Sequence, residues 1–264
     1  MKISLRDRVY IVTGGSRGFG LAIASALVGE GARVGLLGRN QDSLTRAVDS
    51  LGSGNAFAVT SDLGNASDIA PAFARIKEHF GRLDGLVNNA GLARPASVEE
   101  LVQSEVEAQV ATNLLGVIFC CQAAVPLLRG GDNPRIINVS SASAYHYDEM
   151  AHLSIYAATK AAVERFSRDL RRELQGDGIG VTILRPGSAP TEFAAGWEPV
   201  RFERALNAWF RQGSSMDVGM DAEHVGATVA WCLGCPPGVS VDLLEVRPCT
   251  SVPKPDASTL MGTG

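Results

Sequence analysis

Thr13-Gly14-Gly15-Ser16-Arg17-Gly18-Phe19-Gly20 lies between two segments of opposite character, and that placement sets the architecture expected of the whole chain. Before it, Arg8-Val9-Tyr10-Ile11-Val12-Thr13 reads as a short buried strand; after it, Leu21-Ala22-Ile23-Ala24-Ser25-Ala26-Leu27 has the composition of an apolar helix. Strand, glycine turn and helix in that order point the unpaired N–H groups of the helix start at the turn, where an anion is favoured. Gly14 then serves a tight bend, Gly18 a close approach of backbone to a pyrophosphate, and Gly20 close packing of helix on strand. The chain has 29 glycines, so an ordinary loop is the bland alternative; the flanking elements argue against it.

Working outward, further apolar runs at 33–37, 56–60, 84–88, 134–139, 179–184 and 240–246 alternate with longer helical patterns. With the run at 8–13 they give seven strands joined by helical crossovers, which implies a mainly parallel sheet with helices wound onto both faces. The 264 residues, 45% of them hydrophobic, suffice for one α/β domain over 1–250, and the Pro/Ser/Thr/Gly-rich 251–264 reads as a tail. A net charge of −4 gives no bulk attraction to nucleic acid or acidic membranes, so a small molecule is the expected partner. The apolar stretch from Leu114 to Leu128 contains Gln122 and Pro126 and is shorter than the ~20 residues needed to span a bilayer, so it reads as a buried helix. Arg6, Asp7 and Arg8 interrupt the start before any signal-like segment, and a cytoplasmic location is expected. The five cysteines have no framework spacing; Cys120, Cys121, Cys232 and Cys235 read as core, and the four scattered histidines suggest no metal site.

A second signature is Tyr156-Ala157-Ala158-Thr159-Lys160, since a helix sets residues four apart on one face and so places an ammonium beside a phenol. A free phenol titrates near ~10, and a fixed cation beside it is expected to favour the phenolate. On that reasoning Tyr156 is a candidate general acid/base, with Lys160 lowering its pKa. The remaining motifs follow in order: Asp62-Leu63, Asn88-Asn89-Ala90-Gly91, Asn113 in a helix, Ser140-Ser141 after Ile136-Ile137-Asn138-Val139, then Pro186-Gly187 and Thr191.

The glycine spacing G-x-x-x-G-x-G after a threonine, together with these motifs over about residues 5–250, resembles the short-chain dehydrogenases/reductases. The resemblance implies a Rossmann-type doubly wound three-layer sandwich that binds a nicotinamide dinucleotide. It implies a cofactor surface built from Gly14, Ser16, Arg17, Gly18, Phe19 and Gly20 in the turn, Asp62 and Leu63 on the adenine side, and Asn89, Ala90 and Gly91 along the groove. Tyr156, Lys160, Pro186, Gly187 and Thr191 complete that surface at the nicotinamide end. NAD-selective members usually present an acid after the second strand; here Leu37-Gly38-Arg39-Asn40 offers Arg39, with Arg17 from the other side, to a 2′-phosphate, so NADP(H) is expected over NAD(H).

Carbonyl reduction needs a hydride at carbon and a proton at oxygen. By resemblance Tyr156 gives the proton, Lys160 also holds the ribose, Ser141 stabilises the substrate oxygen, and Asn113 orders a water in a relay. Many relatives carry the serine thirteen residues before the tyrosine, which here falls on Ser143; Ser141 is preferred because it stands directly after the strand. Substrate contacts are expected from 145–152, including Tyr147 and His152, from Ser143, and from a lid at about 188–216 whose Phe193 and Trp197 suit a bulky apolar or aromatic ketone. A homotetramer or homodimer is expected by resemblance. A catalytically silent dinucleotide-binding regulator is the alternative, disfavoured because all four catalytic positions are filled.

Overall fold

The computed structural model describes residues 3–146, 150–189, 191–212 and 220–249. Tyr147, the last residues of the expected lid and the 251–264 tail lie outside them. Seven strands form one sheet in the order β3-β2-β1-β4-β5-β6-β7, every pairing parallel. They are β1 (Val9–Thr13), β2 (Arg33–Gly38), β3 (Ala56–Thr60), β4 (Gly85–Asn88), β5 (Arg135–Val139), β6 (Gly180–Pro186) and β7 (Leu243–Val246). Parallel strands covered on both faces need apolar side chains on both, which is why β1 and β5 are buried at every position and read as continuous runs rather than alternations.

The helices are α1 (Gly18–Gly29), α2 (Gln41–Leu51), α3 (Ala66–Phe80), α4 (Gln103–Val110), α5 (Gly116–Leu128), α6 (Ser154–Glu173), α7 (Pro199–Gln212) and α8 (Ala222–Leu233). One core lies between the sheet and the α1, α2 and α8 face, with Ile23, Leu27, Leu36, Leu44 and Val225 at its centre. The other lies under α3, α5 and α6, around Ile69, Phe73, Ile76, Val117 and Val163. Strand order reverses between β1 and β4, so the loops after these two strands diverge to opposite faces and leave a crevice at their carboxyl ends.

The apolar stretch at 114–128 is not a short separate helix. A π-helical turn, Ala111–Leu115, joins α4 to α5, and the result is a continuous 26-residue helix, Gln103–Leu128. By length and composition alone it could cross a membrane; here it flanks the sheet, with Val117, Cys120, Cys121, Ala124 and Leu128 turned into the core. Burial pushes the Cys121 thiol up to about 12 and the Cys120 thiol higher still, so both behave as small apolar side chains. Cys232 is likewise buried, and burial raises its pKa despite a contact to Thr182.

Candidate active site

A cavity of about 780 Å³ opens along the carboxyl ends of β1, β2, β4, β5 and β6, where the order of the sheet predicts one. Its floor is the glycine turn. Gly14 sits at φ +63°, a conformation that L side chains rarely adopt, and a Cβ on Gly20 would stand 2.0 Å from the Gly14 carbonyl oxygen. Thr13 fixes the turn from below. Its Oγ1 accepts from the N–H groups of Asn89 and Ala90, both at 3.0 Å, while Asn89 Nδ2 donates back to the Thr13 carbonyl at 3.0 Å. The first strand end and the fourth are thereby stitched across the switch point.

Of the residues assigned to the cofactor from sequence, Gly14, Ser16, Arg17, Gly18, Phe19, Arg39, Asp62, Leu63, Asn89, Ala90, Gly91, Pro186, Gly187 and Thr191 line the cavity; Gly20 lies beneath the turn, packed against it. Arg17 has a partner that the sequence did not suggest. Its Nη1 stands 3.4 Å from Glu192 Oε2, so the residue expected at a phosphate also tethers the lid to the glycine turn, through an exposed and therefore weak ion pair. Asn40, Ser43 and Ser61 also line the cavity and were missed. Asn40 and Ser43 had a signal: Asn40 caps α2, its side chain accepting from the Ser43 N–H at 2.8 Å. Ser61 had none, and its hydroxyl is buried with no protein partner.

At the other end of the cavity α6 delivers Tyr156 and Lys160, both buried. The Lys160 ammonium donates to the Val139 carbonyl at 2.8 Å and lies 5.8 Å from the centroid of the Tyr156 ring. The Ser141 hydroxyl neighbours the Tyr156 phenol and favours its ionised form. Ser143 stands one bond further out, its Oγ donating to Ser141 Oγ at 2.9 Å and its N–H at 3.2 Å. Both serines line the cavity, and Ser141 is the one that bears on the ionisation of the tyrosine.

Burial works against the expected effect of Lys160. Burial pushes the phenol of Tyr156 up, to about 12, and the Ser141 hydroxyl opposes that only in part. Burial also lowers the Lys160 ammonium to about 8. The lysine donates to the Val139 carbonyl, and desolvation opposes the charge effect read from the four-residue spacing.

Asn113 is fully buried in the π-helical turn, and its amide is committed: Nδ2 donates to the Leu92 carbonyl at 2.8 Å and to Thr159 Oγ1 at 3.1 Å, while Oδ1 accepts from the Leu92 N–H at 2.8 Å. It clamps the loop after β4 onto α6, which the water-ordering role implied by resemblance did not include. Lys160 Nζ and Asn113 Oδ1 both approach Gly91, 3.4 and 3.5 Å from where a Cβ on it would stand.

Below the site, Glu164, one helical turn past Lys160, makes a buried ion pair with Arg185 (Nη2 to Oε2, 2.5 Å) and accepts from Ser140 Oγ at 2.8 Å. Ser140 sits between the carbonyl that holds Lys160 and the serine beside Tyr156, so this pair braces both. The Arg185 guanidinium also lies 4.6 Å from the centroid of Tyr145, and His146 Nε2 lies 2.8 Å from Glu245 Oε1, tying the serine loop to β7.

The substrate assignments divide. Phe193 lines the cavity, its ring centroid 5.4 Å from that of Tyr156. Trp197 does not line it; it packs behind Phe193 at 5.9 Å, against Phe202 and Trp209. His152 also fails to line it. With a left-handed φ of +65°, it borders a separate surface hollow beside α7. Met150, within the expected 145–152 segment, lines the cavity; Arg94 lines it too and was missed.

Comparison with known proteins places this geometry. A family model described as short chain dehydrogenase matches residues 8–200. An oxidoreductase of Botryotinia fuckeliana is 35% identical over 222 residues, 84% of this chain and 74% of its own length. A short-chain dehydrogenase from Burkholderia cenocepacia, solved in complex with NADP, superposes with a TM-score of 0.80 at 32% identity, over 92% of this chain and 97% of that one. The closed form of a serine dehydrogenase complexed with NADP+ superposes at 0.78 with 30% identity, over 91% and 94%. With its glycine turn, its switch-point crevice and these relatives, the chain belongs to the short-chain dehydrogenase/reductase superfamily of oxidoreductases.

Proposed function

We propose that the protein is an NADP(H)-dependent oxidoreductase that interconverts a ketone or aldehyde with an alcohol. The observation that carries this reading is the phenol of Tyr156, beside Ser141 and flanked by Lys160, on the wall of a cavity continuous with the glycine turn.

The residues present fit a dinucleotide. The buried Ser61 hydroxyl without a protein partner, the capped start of α2 and the Arg39 guanidinium form a donor set at the end of the cavity suited to a phosphorylated ribose. NADP in the Burkholderia relative and in the serine dehydrogenase supports the same preference. Bound there, the nicotinamide supplies the hydride. The chain's own residues manage the proton. At neutral pH the Tyr156 phenol is protonated, a donor ready for a carbonyl oxygen. Ser143 donates to Ser141, which leaves the Ser141 proton free to turn from the phenol to the charge developing on that oxygen. Lys160 and Asn113 flank Gly91, from where proton return to Tyr156 passes along the lysine. The small-molecule substrate enters beneath Phe193. The cytoplasm is the expected compartment, and homodimers or homotetramers form through the outward face of Gln103–Leu128.

Consumption of NADPH and NADH against a panel of ketones, from small keto acids to bicyclic aromatics, tests the proposal, with Tyr156→Phe as control. Turnover that the variant loses supports it. NADPH binding without turnover of any carbonyl favours the silent regulator.

A further inference from the structure

Four arginines line the cavity, and three have an evident use. Arg17 is matched by Glu192 at 3.4 Å, and Arg247 by Glu245 at 3.5 Å. Arg39 follows β2, at the end of the cavity assigned above to the phosphorylated ribose. Arg94 is the fourth, and it lies at the opposite end. Its neighbour Ala93 packs with Leu153 and Tyr156, and two residues on, the Ala96 N–H donates to the His152 carbonyl at 2.9 Å, so the 93–96 segment runs alongside the approach to the tyrosine. Met150, which lines the same cavity, packs on that cluster.

Arg94 is half-buried, and its guanidinium donates once, from Nη1 to the Ala93 carbonyl at 2.8 Å. No carboxylate pairs with it among the described residues. The carboxylates lining the cavity are Asp62, after β3, and Glu192, which faces Arg17. The fully buried arginines among the described residues differ: Arg185 pairs with Glu164, Arg8 with Asp132, and Arg135 donates to the Val239, Cys235 and Pro236 carbonyls. A guanidinium has five N–H donors in a fixed planar fork that matches a carboxylate, and a half-buried one with most donors unspent is poised for an anion.

We infer that Arg94 anchors a carboxylate of the substrate. The substrate class is then a carbonyl compound, with its hydroxy counterpart, whose apolar body lies against Phe193 and Met150 and which carries a carboxylate beyond the reacting carbon. This rests on the reductase reading above and narrows it.

Two matched pairs of probes test the inference: benzoylformate with its methyl ester, and 4-oxo-4-phenylbutanoate with its methyl ester, which place the charge at two distances from the ketone. The wild type is expected to favour the acid in at least one pair, and Arg94→Gln to lower that acid-to-ester ratio of kcat/KM by about 10- to 100-fold. Arg94→Lys restores part of the ratio. Equal use of acid and ester by the wild type, or a ratio unchanged in Arg94→Gln, overturns it. If no probe is reduced, the reductase reading fails separately, and benzoate titrated calorimetrically into the NADPH-loaded protein still decides the anion site. Binding at least tenfold weaker in Arg94→Gln upholds the site; equal or undetectable binding in both overturns it.

Discussion

Replacing Lys160 with methionine should stabilise the protein while abolishing its activity. The ammonium is buried, and desolvation takes its pKa from 10.5 to about 8. At 1.36 kcal/mol per unit, the fold carries a burden of about 3 kcal/mol at pH 7 to keep this group charged. Methionine has nearly the same length and no charge. It loses the 2.8 Å bond to the Val139 carbonyl, which sets about 1–2 kcal/mol against the gain. The net is about 1–2 kcal/mol in favour of Lys160→Met, or about 4 °C in melting temperature for a chain of this size. Differential scanning calorimetry without added nucleotide reads it. The pH dependence fixes the cause. Between about pH 8 and 10.5 the unfolded lysine stays protonated while the folded one does not, so the wild type gains stability relative to the variant across that window, and the order reverses by its upper end. A variant that melts below the wild type at pH 7, with a gap that does not change with pH, refutes the reasoning.

Ser141→Ala should lower kcat by about 100-fold, because it removes the donor to both phenol and substrate oxygen, whereas Ser143→Ala, one bond further out, should cost about tenfold or less; equal losses in steady-state kinetics would reverse the assignment. Arg39→Ala should raise the KM for NADPH by about 10- to 100-fold and leave that for NADH nearly unmoved, and parallel changes in both would remove the 2′-phosphate role. Glu164→Gln leaves Arg185 buried with only Glu245, 3.6 Å away, as a countercharge, and should cost about 3 kcal/mol in urea denaturation; a loss below about 1 kcal/mol would mean that the pair braces nothing.

The sheet was legible because its inner parallel strands, buried on both faces, leave largely apolar runs between polar loops, and the observed strands start and stop within a few residues of those runs. The glycine turn was legible for a related reason: a positive φ at Gly14 and the 2.0 Å approach at Gly20 admit no side chain, so the geometry is written in residue type. What spacing could not convey was burial. Tyr156 and Lys160 four apart on a helix predict mutual attraction, but the desolvation that moves both pKa values depends on what covers them.

The lid shows the same limit. Its aromatics looked like one substrate surface, yet the helical period of α7 turns Phe202 and Trp209 to the same side, where Trp209 is buried with its Nε1 donating to the Ala151 carbonyl at 2.6 Å. Only Phe193, in the turn before the helix, faces the cavity. His152, read as a substrate contact, borders the other hollow instead, at a left-handed φ that nothing local announces in a histidine. Asn113 was read as a site residue, but the π-helical turn that sets its amide on Leu92 has no signature in composition.

The central claim is that Tyr156 gives a proton while hydride passes to a carbonyl carbon. Its most direct test is NADPH deuterated at the transferring position, incubated with the ketone that turns over fastest, with the alcohol analysed by mass spectrometry. The account predicts one deuterium on the carbinol carbon with the wild type and at least a 1,000-fold slower appearance of labelled alcohol with Tyr156→Phe, on the scale of general acid catalysis combined with loss of the Ser141 contact. Alcohol formed without label, or labelled at an undiminished rate by the variant, would contradict it.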